Sequence, residues 1–178
     1  SSTTEKTECH HKCKISSDFE ILVNSPVFSS SNPDMVKLFA YLAKRKKYFA
    51  GDTLIKKGKE ATQAFLLLEG EVSISTEHKK VDVVIQNLKE GAFFGELSLL
   101  AKFKWFFSAT AITDCEVLII DKESFDKVME QHPDKKNRIV EKIIQLRVER
   151  LSDQTEYMLN LVPEEILQDS TIKSPLIA

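Results

Sequence analysis

Between Lys47 and Asp121 the chain is cut into short runs of β-branched and aromatic residues, each ended by turn formers. KYFA precedes Gly51-Asp52, TLIKK precedes Gly58, AFLLLEG and EVSIST lead to the polar turn His78-Lys79-Lys80, and VDVVIQNL precedes Gly91. Runs of this length and composition suit strands rather than helices. Val72 and Ile74 alternate with polar neighbours, as do Val81, Val83 and Ile85, which is the period of a half-buried strand. SATAIT and CEVLIID close the series. Many short strands at near-regular spacing predict an antiparallel barrel or roll.

Helical patterns flank this β series. Asp18 to Val23 predicts one or two turns ending near Ser25-Pro26. Asn32-Pro33-Asp34 reads as a helix start, with an Asn cap, Pro at the first position and an acid in the first turn. That helix would bury Met35, Leu38, Phe39 and Leu42. The basic run Lys44-Arg45-Lys46-Lys47 is expected at its C-terminal end as a solvated, dipole-stabilising face rather than a nucleic-acid contact. After Asp121, Phe125, Val128 and Met129 predict a short helix ending by Pro133. A longer helix from about Lys135 to Leu151 follows, with Ile139, Val140, Ile143, Ile144, Leu146, Val148 and Leu151 apolar. This stripe is wide enough to face both the roll and a second partner. Leu161 to Leu167 suggests one more short helix. The expected layout is a flexible tail over residues 1–17, one domain over 18–151, and a C-terminal extension or partner-binding segment over 152–178.

Size and charge narrow the function classes. The 178 residues suffice for one core plus appendages, and a net charge of −2 argues neither for nucleic acid nor for an acidic membrane surface. No apolar run approaches the roughly 18 residues of a membrane span. Cys9, Cys13 and Cys115 make no even disulfide framework, so a reducing, cytoplasmic setting is expected, including as the soluble part of a larger protein. The opening Ser suggests a processed or excised chain. No Ser/His/Asp, HExxH or P-loop arrangement supports an enzyme.

The order of helix, eight or so short strands, glycine-acid loop and two further helices resembles the cyclic-nucleotide-binding domain family over about Asp18 to Leu151. That family includes catabolite activator protein, protein kinase A regulatory subunits and cyclic-nucleotide-gated channels. Ser25-Pro26-Val27-Phe28 is similar to its entry turn. Ala50-Gly51-Asp52, Lys57-Gly58 and Leu68-Glu69-Gly70 are similar to its turn glycines. Phe94-Gly95-Glu96-Leu97-Ser98-Leu99 resembles the opening of its phosphate-binding cassette, and Ser108-Ala109-Thr110 its end. The resemblance implies a mainly β fold: a jelly-roll-like antiparallel roll with N-terminal helices and C-terminal B and C helices.

The loop has its own chemistry. Gly95 permits close backbone approach and a positive φ. A short helix starting near Leu97 would offer backbone N–H groups to an anion. Glu96 is either a ribose-hydroxyl acceptor, as the resemblance implies, or an acid that satisfies backbone donors. Ser108 could donate to an exocyclic phosphate oxygen. The resemblance also calls for an arginine just before the Ser-Ala-Thr segment, to pair with the cyclic phosphate; Phe107 stands there, in a loop about two residues longer. Losing that cation costs about 3–5 kcal/mol, or about two to four decades of affinity. Lys102 and Lys104 are the nearest compensating charges, and Arg138, Arg147 and Arg150 are candidate pocket caps. The aromatics Phe103, Trp105, Phe106 and Phe107 have three readings: a plug that joins the core, a pocket re-lined for an apolar or flat ligand, or an exposed interaction patch.

Cys9-His10-His11-x-Cys13 holds zinc-type ligands, but such tight spacing in a tail seldom builds an ordered site, and no metal is expected. Cys115 reads as a small core residue. The expected function is a regulatory ligand-sensing module with weakened or altered cAMP or cGMP binding, coupling pocket occupancy to the C-terminal helix. No other cofactor is expected. Its partners would be a cyclic nucleotide or other small ligand and an effector reached through the C-terminal helices, with a homodimer as one form; neither nucleic acid nor membrane is expected. Two alternatives stand beside it: a ligand-free interaction or dimerisation domain, and the sensor half of a catabolite-activator-type transcription regulator lacking its DNA-binding part.

Overall fold

Eight short strands pair into two four-stranded antiparallel sheets in the computed structural model, which describes residues 14–164. The strands are β1 (Lys44–Tyr48), β2 (Thr53–Ile55), β3 (Gln63–Glu69), β4 (Val72–His78), β5 (Val81–Leu88), β6 (Phe93–Phe94), β7 (Ser108–Ala111) and β8 (Cys115–Asp121). The helices are α1 over residues 14–23, α2 (Pro33–Leu42), α3 (Lys122–Gln131) and α4 (Lys136–Asn160). Strand order is β1-β8-β3-β6 in one sheet and β2-β7-β4-β5 in the other. This is the predicted roll. Among the described residues no helix is long and apolar enough to cross a membrane.

Both sheets contribute to one core. Tyr48, Phe65, Leu67, Phe94, Val117 and Ile119 come from the first sheet, and Leu54, Ile55, Val72, Ile74, Ala109 and Ala111 from the second. The first sheet is covered on its other face too, because β3 and β8 are buried along nearly their whole length. The uninterrupted apolar runs AFLLL and VLII are the sequence mark of that double burial. Phe28 joins Phe93 of this sheet to Phe39 of α2 at ring separations of 6.1 and 4.8 Å, and Phe39 stacks on Phe125 of α3 at 5.9 Å. Helix α2 buries Met35, Val36, Phe39 and Ala40, while Leu38 and Leu42 are only half-buried.

Three local expectations change. The basic run Lys44–Lys47 is not a helix end but strand β1, at the edge of its sheet. Helix α2 stops because Ala43 is extended (φ −66°, ψ 147°), and β1 then pairs with β8. Lysines along an edge strand discourage intermolecular pairing. Arg45 is bound by Asp18 at 2.6 Å and by Glu116 at 3.4 Å. Burial opposes its charge, but these two carboxylates outweigh that and raise its pKa further. The same contact anchors α1, which is helical already from residue 14, within the stretch expected as tail. Strand β5 is not half-buried: Val81 is 61% and Val83 45% exposed, because β5 is the outer strand beyond β4 and bulges opposite Ile74/Ser75.

Asp121 caps α3, accepting from the Ser124 N–H at 2.7 Å and from Lys44 Nζ at 3.4 Å. Burial pushes this carboxyl up, but the bonds from Ser124 and Lys44 outweigh it and hold it below the usual carboxylate range. The folded value lies below the unfolded one, so the stabilisation is present above the unfolded pKa and disappears as pH falls through the folded one. Asp121→Ala should therefore cost about 1 kcal/mol at pH 7. Urea denaturation should show this gap closing as the pH drops below about 4.

The described residues divide into two compact units, 14–143 and 144–164. In the first, α4 begins with Ile139 and Ile143 buried. The second carries the rest of α4, which extends to Asn160 rather than Leu151, since no glycine or proline follows until Pro163. Ile144, Val148, Leu151, Tyr157, Met158 and Leu159 are exposed along it.

Candidate functional site

The cassette is hung between two strand pairs. On one side, Phe65 of β3 faces Phe94 of β6 with stacked rings 5.2 Å apart, which sets the position of Gly95. Gly95 takes φ 72°, and the short helix that follows is a single 3-10 turn over Glu96–Leu99. Ser98 turns inward and spends both its N–H (3.1 Å) and its hydroxyl (2.7 Å) on the Gly95 carbonyl. Its donors therefore close the turn rather than pointing into the roll. Glu96 is 2% exposed, Leu97 half-buried and Leu99 buried.

On the other side, the residues before β7 run alongside 58–61. Gly58 N–H donates to the Trp105 carbonyl (2.7 Å), Trp105 N–H to Lys59 (2.8 Å) and Ala61 N–H to Phe103 (2.9 Å). This pairing imposes a strand's alternation on the aromatics. Phe103, Trp105 and Phe107 turn inward, whereas Phe106 is 51% exposed. Trp105 and Phe107 belong to the core between the sheets, their rings 5.5 Å apart, with Phe103 against Trp105 at 5.4 Å. The indole lies directly on the cassette glycine: a Cβ added to Gly95 would come within 3.0 Å of Trp105 Cη2. The space that Gly95 leaves open holds a tryptophan.

Ser108 starts β7 and its hydroxyl accepts the Lys57 N–H at 3.1 Å, while Ala109 is fully buried. Lys102 and Lys104 are both exposed, Lys104 facing Glu60 across an isolated β-bridge. Between Lys46 and Asn137 the sequence has no arginine, and Arg45 is committed to Asp18 and Glu116. Arg138 lines a separate groove with Ser30, Ser31 and Asn32. Arg147 and Arg150 are half-buried residues of the second unit. The first unit thus brings together Phe94, Gly95, Glu96, Leu97, Ser98, Trp105, Phe107, Ser108 and Ala109, while Lys102 and Lys104 point to solvent and Arg138 lies in the separate groove. The backbone pairing of residues 58–61 that fixes Trp105 was missed; the spacing Phe103-x-Trp105-x-Phe107 was the signal for it.

Cys115 is a core residue whose thiol contacts the Glu71 and Thr113 carbonyls at 3.2 and 3.1 Å. Among the described residues no group of His, Cys, Asp and Glu could hold a metal ion, and Cys9, His10, His11 and Cys13 lie outside them.

Residues 45–132 match the model of the cyclic nucleotide-binding domain. The chain is 24% identical over 147 residues to the human potassium/sodium hyperpolarization-activated cyclic nucleotide-gated channel 2, covering 83% of this chain and 16% of the channel. A cyclic nucleotide-binding domain from Methylobacillus flagellatus superposes with a TM-score of 0.73 at 17% identity, covering 84% of each chain. The regulatory subunit of a cAMP-independent protein kinase A from Trypanosoma brucei superposes with a TM-score of 0.67 at 17% identity, covering 86% of this chain and 53% of that one. With its two-sheet roll, its left-handed cassette glycine and this match, the domain spanning residues 45–132 belongs to the cyclic nucleotide-binding domain family.

Proposed function

We propose that this chain is a regulatory module of the cyclic-nucleotide-binding type whose cassette is occupied by its own side chains, so that cAMP and cGMP bind weakly or not at all. The observation that carries this reading is Trp105 packed on Gly95, with Phe107 beside it where the family resemblance calls for a cation. A nucleotide entering here must displace two buried rings, and it finds no arginine to replace its hydration. The fold is shared with a regulatory subunit described as belonging to a cAMP-independent protein kinase A. Regulation through α4 is part of the same proposal.

The test is a titration with cAMP and cGMP, following melting temperature and the fluorescence of Trp105, the one tryptophan of the chain. No saturable change is expected at micromolar nucleotide. A ligand at a hundred times its dissociation constant adds about 2.7 kcal/mol of stability, and a shift of that size would overturn the proposal.

The interaction-domain reading is favoured by a separate observation. Ile144, Val148, Leu151 and Met158 are all about half exposed and fall on one face at heptad-like spacing. A face of this kind suits an effector helix or a second copy.

A further inference from the structure

The loop before α2 and the first turns of α4 enclose a groove of about 230 Å³. Its walls are Ser30, Ser31, Asn32, Lys135 and Arg138, over an apolar floor of Met35 and Ile139. Every polar side chain in that wall can donate a hydrogen bond, two are cationic, and no carboxylate is among them. That is far more room than a single water needs.

Two further features point to an anion. Ser31 Oγ is buried and makes no hydrogen bond within the protein, and such an atom ordinarily has a partner. Helix α4 also has the reverse of the expected charge at its start. Its first turn contains no acid, Lys136 and Arg138 lie within it and Lys135 precedes it. By contrast, α2 and α3 carry Asp34 and Glu123 in theirs. Cations at the positive end of a 25-residue helix are disfavoured unless an anion joins them. The neighbouring carboxylates are already engaged, Asp134 with Lys135 at 2.9 Å and Asp34 with Lys37 at 3.5 Å. The loop is held in place as well: Lys142 Nζ donates to the Ser29 carbonyl and, at 3.0 Å, to its hydroxyl, and Ser30 is kept at φ 64°.

We propose that this groove binds a phosphate group, either inorganic phosphate or the phosphate of a small soluble monoester, through Arg138 and the Ser31 hydroxyl, Lys135 being already paired with Asp134. Donors on several sides match the tetrahedral oxygens of phosphate better than a planar carboxylate, and the guanidinium supplies a bidentate fork. The site is independent of the cassette.

Amide NMR shifts of the full chain, titrated with inorganic phosphate at constant ionic strength against chloride, would test this. Saturable shifts confined to residues 30–36 and 135–140 are expected. Arg138→Gln, at an exposed position and so expected to keep the native spectrum, should weaken binding about tenfold or more. Ser31→Ala should weaken it several-fold, and it serves as the second variant if the first does not fold. Shifts that never saturate, that chloride reproduces, that centre on residues 95–109, or that both variants retain at full affinity would each overturn the proposal.

Discussion

Replacing Trp105 by alanine is expected to lower the unfolding free energy by about 3–5 kcal/mol, the range for removing a large aromatic from a packed core. The indole is 6% exposed and touches both sides of the cassette, with Phe103 on one side, Phe107 on the other and Gly95 beneath. Its backbone is fixed by the hydrogen bonds to Gly58 and Lys59, so the neighbours cannot follow the missing ring inward, and a cavity remains beside Gly95. Domains of this size are usually stable by about 5–15 kcal/mol, so the loss would be visible in any denaturation curve. Circular dichroism is the suitable probe, because the variant has no tryptophan. Phe106→Ala is the internal control. Its ring is 51% exposed in the same loop, and its loss should cost less than about 1 kcal/mol. Equal costs for the two substitutions would mean that the indole is not the plug.

The division between what could be read in the sequence and what could not follows from the range of the forces involved. Short-range rules placed most strands, because Gly51, Gly58, Gly70 and Gly91 mark turns that all adopt positive φ. They also placed α2 and α3, where Asn32 and Asp121 cap the first turns with their own side chains. What failed depended on tertiary partners. Lys44–Lys47 has no intrinsic strand pattern and becomes β1 only because β8 offers a ladder, with Glu116 and Asp18 taking up Arg45. Val81, Val83 and Ile85 alternate as a buried face would, yet a strand at the outside of its sheet has little to bury them against. In the cassette, Gly95, Glu96 and Ser98 came from the family resemblance of the Phe94–Leu99 segment. Which of the aromatics turned inward depended on the pairing of Trp105 with Gly58 and Lys59, across 46 or so residues of chain that no local rule connects.

The paired substitution Trp105→Ala with Phe107→Arg is expected to convert the roll into a cAMP binder, with affinity at least about a hundredfold above that of the unmodified chain. Neither change should suffice alone. Phe107→Arg by itself places a guanidinium in an apolar core, 9% exposed, with Trp105 still covering Gly95, so destabilisation without binding is expected. Trp105→Ala alone opens space but offers no counter-charge. Together they provide room beside Gly95 and a cation next to Ser108, and a restored partner for a buried anion is worth about 3–5 kcal/mol, or about two to four decades of affinity. Calorimetric titration measures the gain. Melting temperature gives a second readout, since the unpaired arginine destabilises the free protein and the ligand removes that penalty. Phe107→Lys in the same background should recover less, because a single ammonium cannot make the two parallel bonds of a guanidinium. A double variant that folds, as judged by its circular dichroism, and still ignores cAMP would show that position 107 does not face the cassette. The weak binding proposed above would then have to be traced to the closed Ser98–Gly95 turn instead, where the donors are already spent.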